Sequence, residues 1–343
     1  MNKDLKTAIK FQSDILNKVS RSFALTIPQL PENLILAVGN CYLWCRIIDT
    51  IEDETNLSIT EKFTFHQQLI AIFNNQLNIA TFVANLLPKL SKISTNDEKI
   101  LVINANLIFI ITKNLPDNQY LAIKECVVKM NNLMSEFEQI SGLNGLNNLI
   151  ELNKYCYAVA GVVGEMLTTL FSDYLNLTNN KKLQLQTLGI YFARGLQITN
   201  ILKDRWEDYY RKICWLPKDL FDNNDFRQLL NNPNNLIFIN GINKLININF
   251  KYLKNALDYV LMIPKQETGI RKFCLWSIGL AIATLNNINH HPNFTATKQI
   301  KVSKFKLRLI IFITNSIVKN DWLLKICFNL FSNGLKLRKK LCQ

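Results

Sequence analysis

Two short acidic segments, DTIED at 49–53 and DRWED at 204–208, hold the residue types best suited to chemistry. On a helix, Tyr42, Arg46, Asp49 and Asp53 fall at i, i+4, i+7 and i+11 and share one face, with Glu52 at its edge. Gln197, Asn200, Asp204 and Asp208 fall at i, i+3, i+7 and i+11 on a second such face, with Glu207 alongside. Both segments read D-x-x-E-D, each after a basic residue (Arg46, Lys203) in apolar helix. Two carboxylates ~6 Å apart repel by roughly 3 kcal/mol at an effective dielectric of ~20. A hard divalent cation with oxygen ligands offsets that. A single D-x-x-x-D is more often the acidic end of a helix leaving the core than a metal site; the second copy changes the balance. Turned towards each other, the two faces would line a cavity with carboxylates on opposing walls. Several Mg²⁺ ions suit such walls, completing their shells with water and substrate phosphate. The chemistry implied is ionisation or transfer of a diphosphate ester.

The elements that must position these residues all read as helices, and the fold class expected is all-α. Apolar periodicity predicts an amphipathic helix over 4–20, then a break at Pro28 and Pro31, with Pro31 in the first turn of a helix running to about Glu54. Further helices are predicted at roughly 60–85, 97–113 and 118–140, with a loop at 141–148. The helix containing Tyr155 has small residues at Ala158, Ala160, Gly161 and Gly164. Glycine costs a helix about 1 kcal/mol relative to alanine, so either another helix or an apolar ligand approaches closely there. Residues 182–210 form the second acidic helix, followed by a basic loop ending at Pro217 and an Asn-rich linker. Helices near 236–262 and 266–288 precede the loop NHHPNFT and the tail. The expected organisation is one helical domain over 1–297, with basic amphipathic helices over 298–343 on or beside it.

Composition excludes several classes. The 343 residues include only 11 Gly and 8 Pro, against an all-β fold, and contain neither a G-x-G-x-x-G nor a G-x-x-x-x-G-K-[ST] motif. A nicotinamide would therefore bind without a dinucleotide-binding domain. Of the net charge of +14, the segment from Lys298 to Gln343 supplies +10, with Asp321 its one acid. Phe, Leu, Ile and Trp interspersed with that charge suit an anionic membrane surface; a solvated helix without a partner is the plainer alternative. No recognition motif accompanies the charge, so nucleic acid is not an expected partner. The eight cysteines lack zinc-type spacing and read as small buried hydrophobes in a reducing compartment. Cys41 and Cys45 share a helix face but have no evident partner. His66, His290 and His291 lie far from the acidic segments in sequence, so histidine chemistry is not indicated. No signal peptide is evident, and no run approaches the ~18–20 apolar residues of a spanning helix. The expected location is cytoplasmic, peripheral on a membrane face.

With these residues placed, the chain resembles the squalene/phytoene synthase family of head-to-head trans-prenyltransferases, over about residues 10–310. The resemblance rests on SRSF (20–23), YLWCRIIDTIEDE (42–54), YCYAVAGVVG (155–164), QITNILKDRWED (197–208) and WLP (215–217). DTIEDE and FCLWSIGLAIATL (273–285) are closer to the squalene-forming branch than to the phytoene-forming one. The resemblance implies a single-domain isoprenoid synthase fold, its helices around a central apolar channel with two facing Asp-rich helices. It implies Mg²⁺-dependent condensation of two farnesyl diphosphates through presqualene diphosphate, then NADPH reduction to squalene. Synthases stopping at presqualene diphosphate, dehydrosqualene or phytoene are the alternatives, and a non-catalytic scaffold homologue is the alternative from another class.

Carried over by residue, the resemblance implies metal binding at Asp49, Asp53, Asn200, Asp204 and Asp208, with Glu52 and Glu207 beside them; the four aspartates count as catalytic. It implies diphosphate or substrate contacts at Ser20, Arg21, Phe23, Tyr42, Arg46, Gln197, Lys203, Arg211 and Lys212. Tyr155 matches a catalytic tyrosine, Phe273 an aromatic of the second half-reaction, and Lys301 and Lys304 part of a basic flap for the nicotinamide. The departures are specific. Lys203 stands where arginine is usual and lacks the bidentate fork. Glu54 replaces an aspartate, and Ser277 stands where proline is usual, which leaves helix geometry there open. Arg211 and Lys212 lie two positions earlier than the usual Gly-Arg, and the membrane-spanning tail of some members has no expected counterpart.

Overall fold

A computed structural model of the chain describes residues 3–20, 22–140 and 142–335. Arg21, one of the expected substrate contacts, and Cys342, the last of the eight cysteines, lie outside the described residues. Among the described residues there is no strand, only an isolated parallel bridge between Leu146 and Pro217. The predicted helices are present, with differences set by local chemistry. The stretch 60–85 is two helices, Ile59–Phe73 and Ile79–Leu86, parted where Asn75 takes a φ of 59°, a left-handed conformation asparagine tolerates. The stretch 97–113 is likewise Asn96–Ile103 and Ala105–Asn114, broken at Asn104, whose side chain donates back to the Ile100 carbonyl at 2.8 Å. The Asn-rich linker is partly helical. Asp225 caps a short helix, Phe226–Asn231, by accepting from the Arg227 amide at 2.9 Å, and Phe226 packs edge-on to buried Phe221.

The chain divides into two compact units. The first comprises Met1–Ile140 and Glu165–Thr178. Its organising element is the first acidic helix, Glu32–Asp53, whose N-cap is Pro31. A buried polar ladder fixes that helix. The Asn40 side chain donates to Thr112 Oγ1 at 2.6 Å and to the Ile108 carbonyl at 3.2 Å, and Trp44 Nε1 donates to the same hydroxyl at 2.9 Å. The Trp44 ring meets Phe73 edge-on at 5.0 Å, and Gln12 ties the helix Lys3–Val19 to Asn40 at 3.3 Å. Groups buried this deeply need such partners, because each orphan costs ~1–3 kcal/mol. His66 belongs to this core as well, bonded to Asn131 Oδ1 at 2.7 Å.

The second unit comprises Ser141–Gly164 and Asn179–Gln343. The second acidic helix, Asn179–Tyr210, runs along Leu236–Met262. Asn249 donates to Thr199 Oγ1 at 2.9 Å across that contact, and Tyr191 stacks on Tyr252. The small-residue segment after Tyr155 contains a π-helical turn, Tyr157–Gly161, a distortion found often at functional sites. A Cβ on Gly164 would lie 2.6 Å from the Gly189 carbonyl oxygen, so here it is a second helix that comes close. The helices Lys304–Ile317 and Asp321–Ser332 also belong to this unit. Fully buried Arg271 pairs with Asp321, the tail's one acid, and Gly279 admits Ile310.

Two helices, Glu32–Asp53 and Leu149–Tyr174, are long and apolar enough to cross a membrane, contrary to the expectation that no segment is. Within them 72% and 61% of the apolar windows are buried in the protein. Both are core helices by that measure: their apolar side chains already have protein neighbours.

Candidate active site

In the first unit, the last three turns of Glu32–Asp53 present Tyr42, Arg46, Asp49 and Asp53, each half-buried, on one face. The Tyr42 hydroxyl donates to the Val19 carbonyl at 3.2 Å, and its ring lies 5.1 Å from that of Phe23. Ser20, also singled out, accepts from the Phe23 amide at 2.9 Å and so shapes the turn under that ring pair. Burial holds the Tyr42 phenol above its ordinary range, against the opposing influence of Ser20 and Arg46. Arg46 lies 3.9 Å from Asp49 and pairs closely with Glu98. Glu98 is a residue the sequence did not single out. It closes the capping box of Asn96–Ile103, taking the Thr95 amide at 2.6 Å with one oxygen and the guanidinium with the other. Capping boxes are legible in a sequence; the arginine this one holds is not.

Burial pushes the Asp49 carboxyl up to about 7, Arg46 opposes the rise, and Asp53 adds to it. This is the signature of carboxylates crowded together in partial burial. Glu54 behaves differently. Burial pushes its carboxyl up, but the Asn56 and Ser91 amides (3.0 and 2.7 Å) and the Ser94 hydroxyl (3.0 Å) outweigh it and hold the group below its ordinary range. Glu54 therefore fastens the chain leaving the acidic helix. Lys62 caps the backbone carbonyl of Glu52.

In the second unit, Asn200, Lys203, Asp204 and Glu207 lie along the surface of Asn179–Tyr210, with Gln197 half-buried one turn earlier. Lys203 Nζ reaches Asp204 at 3.1 Å and Asn200 Oδ1 at 3.2 Å. Burial raises the Asp204 carboxyl, and Lys203 opposes the rise. Asp208 is buried and accepts from Arg211. Lys212, exposed and with φ of 66°, turns the chain out of the helix, so of the two basic residues it is Arg211 that meets the acidic face. Thr297 donates to Glu207 and to the Lys203 carbonyl, at 3.2 Å for the latter. Arg205, inside the motif, is buried and directed to backbone carbonyls of the loop after His290. It donates to the Pro292 and Phe294 carbonyls and lies over the Phe294 ring at 3.7 Å, and burial pulls it down to about 9. Its role is to seat the NHHPNFT loop.

Tyr155 is buried, its ring stacked on Trp215 at 3.8 Å and 12°. Phe273 is buried in Thr268–His290, which continues without a break through Ser277, whose hydroxyl donates back to the Phe273 carbonyl at 3.0 Å. Lys301 and Lys304 are exposed where the tail begins. Two open cavities of the first unit, about 580 and 400 Å³, are lined from Glu32, Asn114 and Gln119 and from Ile9, Gln12 and Pro28 respectively. None of the acidic-face residues lines either one. The expectation that Cys41 and Cys45 have no partner nearby is corrected: Cys126 brings a third thiol to them. A residue 81 positions away is invisible to local spacing.

Residues 16–306 match the model of the squalene/phytoene synthase family. The chain belongs to that family. Squalene synthase ERG9 of Candida albicans is 28% identical over 81% of this chain and 61% of its own length. The chain thus spans about three fifths of the length of such relatives. Among solved structures, TcSQS with the ligand BPH1237 matches at TM-score 0.73 and 20% identity, over 97% of this chain and 99% of that one. A dehydrosqualene synthase in complex with ligand matches at TM-score 0.63 and 19% identity, over 92% and 98%. Both share the all-α isoprenoid synthase fold with this squalene/phytoene synthase family member.

Proposed function

We propose that the chain is a prenyltransferase of the squalene synthase type, joining two farnesyl diphosphates head to head and reducing the product with NADPH. The observation that carries the reading is the same on both acidic helices: partly buried aspartates with raised carboxyls, each beside a cation held by side chains of its own unit. Mg²⁺ fits the donor set. The candidate ligands Asp49, Glu52, Asp53, Asn200, Asp204, Glu207 and Asp208 are all hard oxygen donors, and raised carboxyls mark places where added positive charge is favoured. When bound, the metal would neutralise the departing diphosphate.

The chain's own residues do the rest. Arg46, Lys203 and Arg211 supply positive charge to diphosphate oxygens, Arg46 oriented by Glu98 and Arg211 by Asp208. Lys203 acts as a point charge without the fork of arginine. The Tyr155 ring, stacked on Trp215, offers π density to developing allylic cation, and its hydroxyl relays the proton lost on cyclopropane formation. Buried Phe273 keeps water from the second cation, whose hydride comes from the nicotinamide co-substrate. Lys301 and Lys304 are the basic groups assigned to that co-substrate.

The tail supports peripheral attachment to an anionic membrane. Phe305, Phe312, Trp322 and Leu330 are 74%, 70%, 68% and 70% exposed, beside exposed Lys304, Lys306, Arg308, Lys319 and Lys325. Large exposed apolar groups set among lysines match an interfacial helix pair.

The deciding experiment incubates the purified chain with farnesyl diphosphate and Mg²⁺, with and without NADPH. Squalene formed only with NADPH is the expected result. The same product in both reactions, whether presqualene diphosphate or dehydrosqualene, removes the reductive half, and no diphosphate release removes the enzyme reading.

A further inference from the structure

The three-cysteine cluster of the first unit takes no part in the proposed reaction, and its geometry is that of a ligand set. Cys41 and Cys45 stand one turn apart on Glu32–Asp53, and Cys126 projects from Asp117–Glu138. Their sulfurs lie within 4.8 Å of one another, all three are unbridged thiols, and their exposures are 0%, 8% and 2%. With metal–sulfur bonds of ~2.3 Å, an ion at the centre of a sulfur triangle needs edges of ~4.0 Å, so small rotamer adjustments close the set. Among the described residues no histidine or carboxylate completes it. The thiols interact directly, and the hydrogen bonds from Cys41 and Cys45 hold the Cys126 thiol below its ordinary range.

We infer that Cys41, Cys45 and Cys126 form a binding site for a soft, three-coordinate metal ion of the monovalent copper class. Zinc in structural sites takes four ligands, and burial leaves little room for water as a fourth. Soft thiolate donors select monovalent copper, which is content with three sulfurs and needs no open position. Because the thiolate is the ligand, each coordinating cysteine gives up its proton to solvent as the ion binds, so affinity rises with pH. The bound ion would cross-link the helix carrying Asp49 to Asp117–Glu138. Cys45 lies one helical turn before Asp49, so the staple would also stiffen the base of the first acidic face.

The test titrates the full chain anaerobically with monovalent copper against a competing chelator, following copper–thiolate luminescence and thermal unfolding, with sulfur coordination read by X-ray absorption. Expected are one equivalent bound, three sulfurs at ~2.3 Å, a raised Tm, and at least ~10-fold weaker binding in Cys126→Ser and Cys45→Ser. Cys274→Ser, which removes a buried thiol outside the cluster, should bind as the parent does. The unaltered chain must itself bind, so a variant that fails to fold cannot rescue the idea. No stoichiometric binding by the parent, two-sulfur coordination, binding equal in Cys126→Ser, or displacement by equimolar zinc each overturns it.

Discussion

Asp49→Asn should make the metal-free protein more stable at alkaline pH while impairing its use of Mg²⁺. Burial raises the Asp49 carboxyl from 3.8 to about 7. Between those values the folded state holds a proton that the unfolded state has lost, so stability falls as pH rises from ~4 through ~7. At 1.36 kcal/mol per unit the full penalty would approach ~4 kcal/mol. The carboxylate is 37% exposed and solvent screens it, so a realistic penalty is ~1–2 kcal/mol. Asparagine keeps the shape and removes the charge. Urea unfolding without Mg²⁺ should therefore show the variant ~1–2 kcal/mol more stable than the parent at pH 8, the advantage shrinking towards pH 5. Added Mg²⁺ should raise the Tm of the parent well above that of the variant. If instead Asp49→Asn is destabilising at pH 8 without metal, the carboxylate is held favourably by Arg46, and the picture of a charge awaiting a cation fails.

Asp204→Asn should lower turnover ~100-fold or more with an unchanged far-ultraviolet circular dichroism spectrum; retained turnover would take the second acidic face out of the chemistry. Glu98→Gln keeps the cap on the Thr95 amide but loses the charge that orients Arg46, so kcat/KM should fall ~10-fold, about 1.4 kcal/mol. An unaltered kcat/KM would make that pair purely structural. Asp321→Asn leaves fully buried Arg271 without its counter-charge and should cost ~2–3 kcal/mol in urea unfolding, less than the ~3–5 kcal/mol of a fully buried pair because Asp321 is 30% exposed. Replacing Phe312 and Trp322 by serine should cut sedimentation with anionic vesicles several-fold and leave turnover of soluble substrate alone; undiminished sedimentation would show that the exposed aromatics do not touch lipid.

Both acidic faces were legible because each is written within a single helix. Spacings of three, four and seven place Tyr42, Arg46 and Asp49, or Gln197, Asn200 and Asp204, on one side whatever surrounds them. The same periodicity is silent about what lies opposite. Arg46 was visible as a cation, yet nothing in its segment says that it pairs with Glu98, a residue the sequence did not single out. Cys126 beside Cys41 and Trp215 beneath Tyr155 were hidden for the same reason: each pairing is a property of packing between distant segments. Local breaks were misjudged where weak signals decide them. Asn75 and Asn104 end helices inside long apolar patterns, whereas Phe226–Asn231 is helical within an Asn-rich stretch because Phe221 and Phe226 give it a core.

The open question at Ser277 turns on the same distinction. Proline there would have removed a backbone donor and forced a kink; serine keeps the amide, and its hydroxyl bonds back one turn, so Thr268–His290 runs on and holds Phe273 buried. A substitution that changes only its own turn can be followed from the sequence to the structure. One that changes a partner across the fold cannot, and in this chain the residues that orient the charged groups, Glu98 for Arg46 and Thr297 for Glu207, are of that second kind.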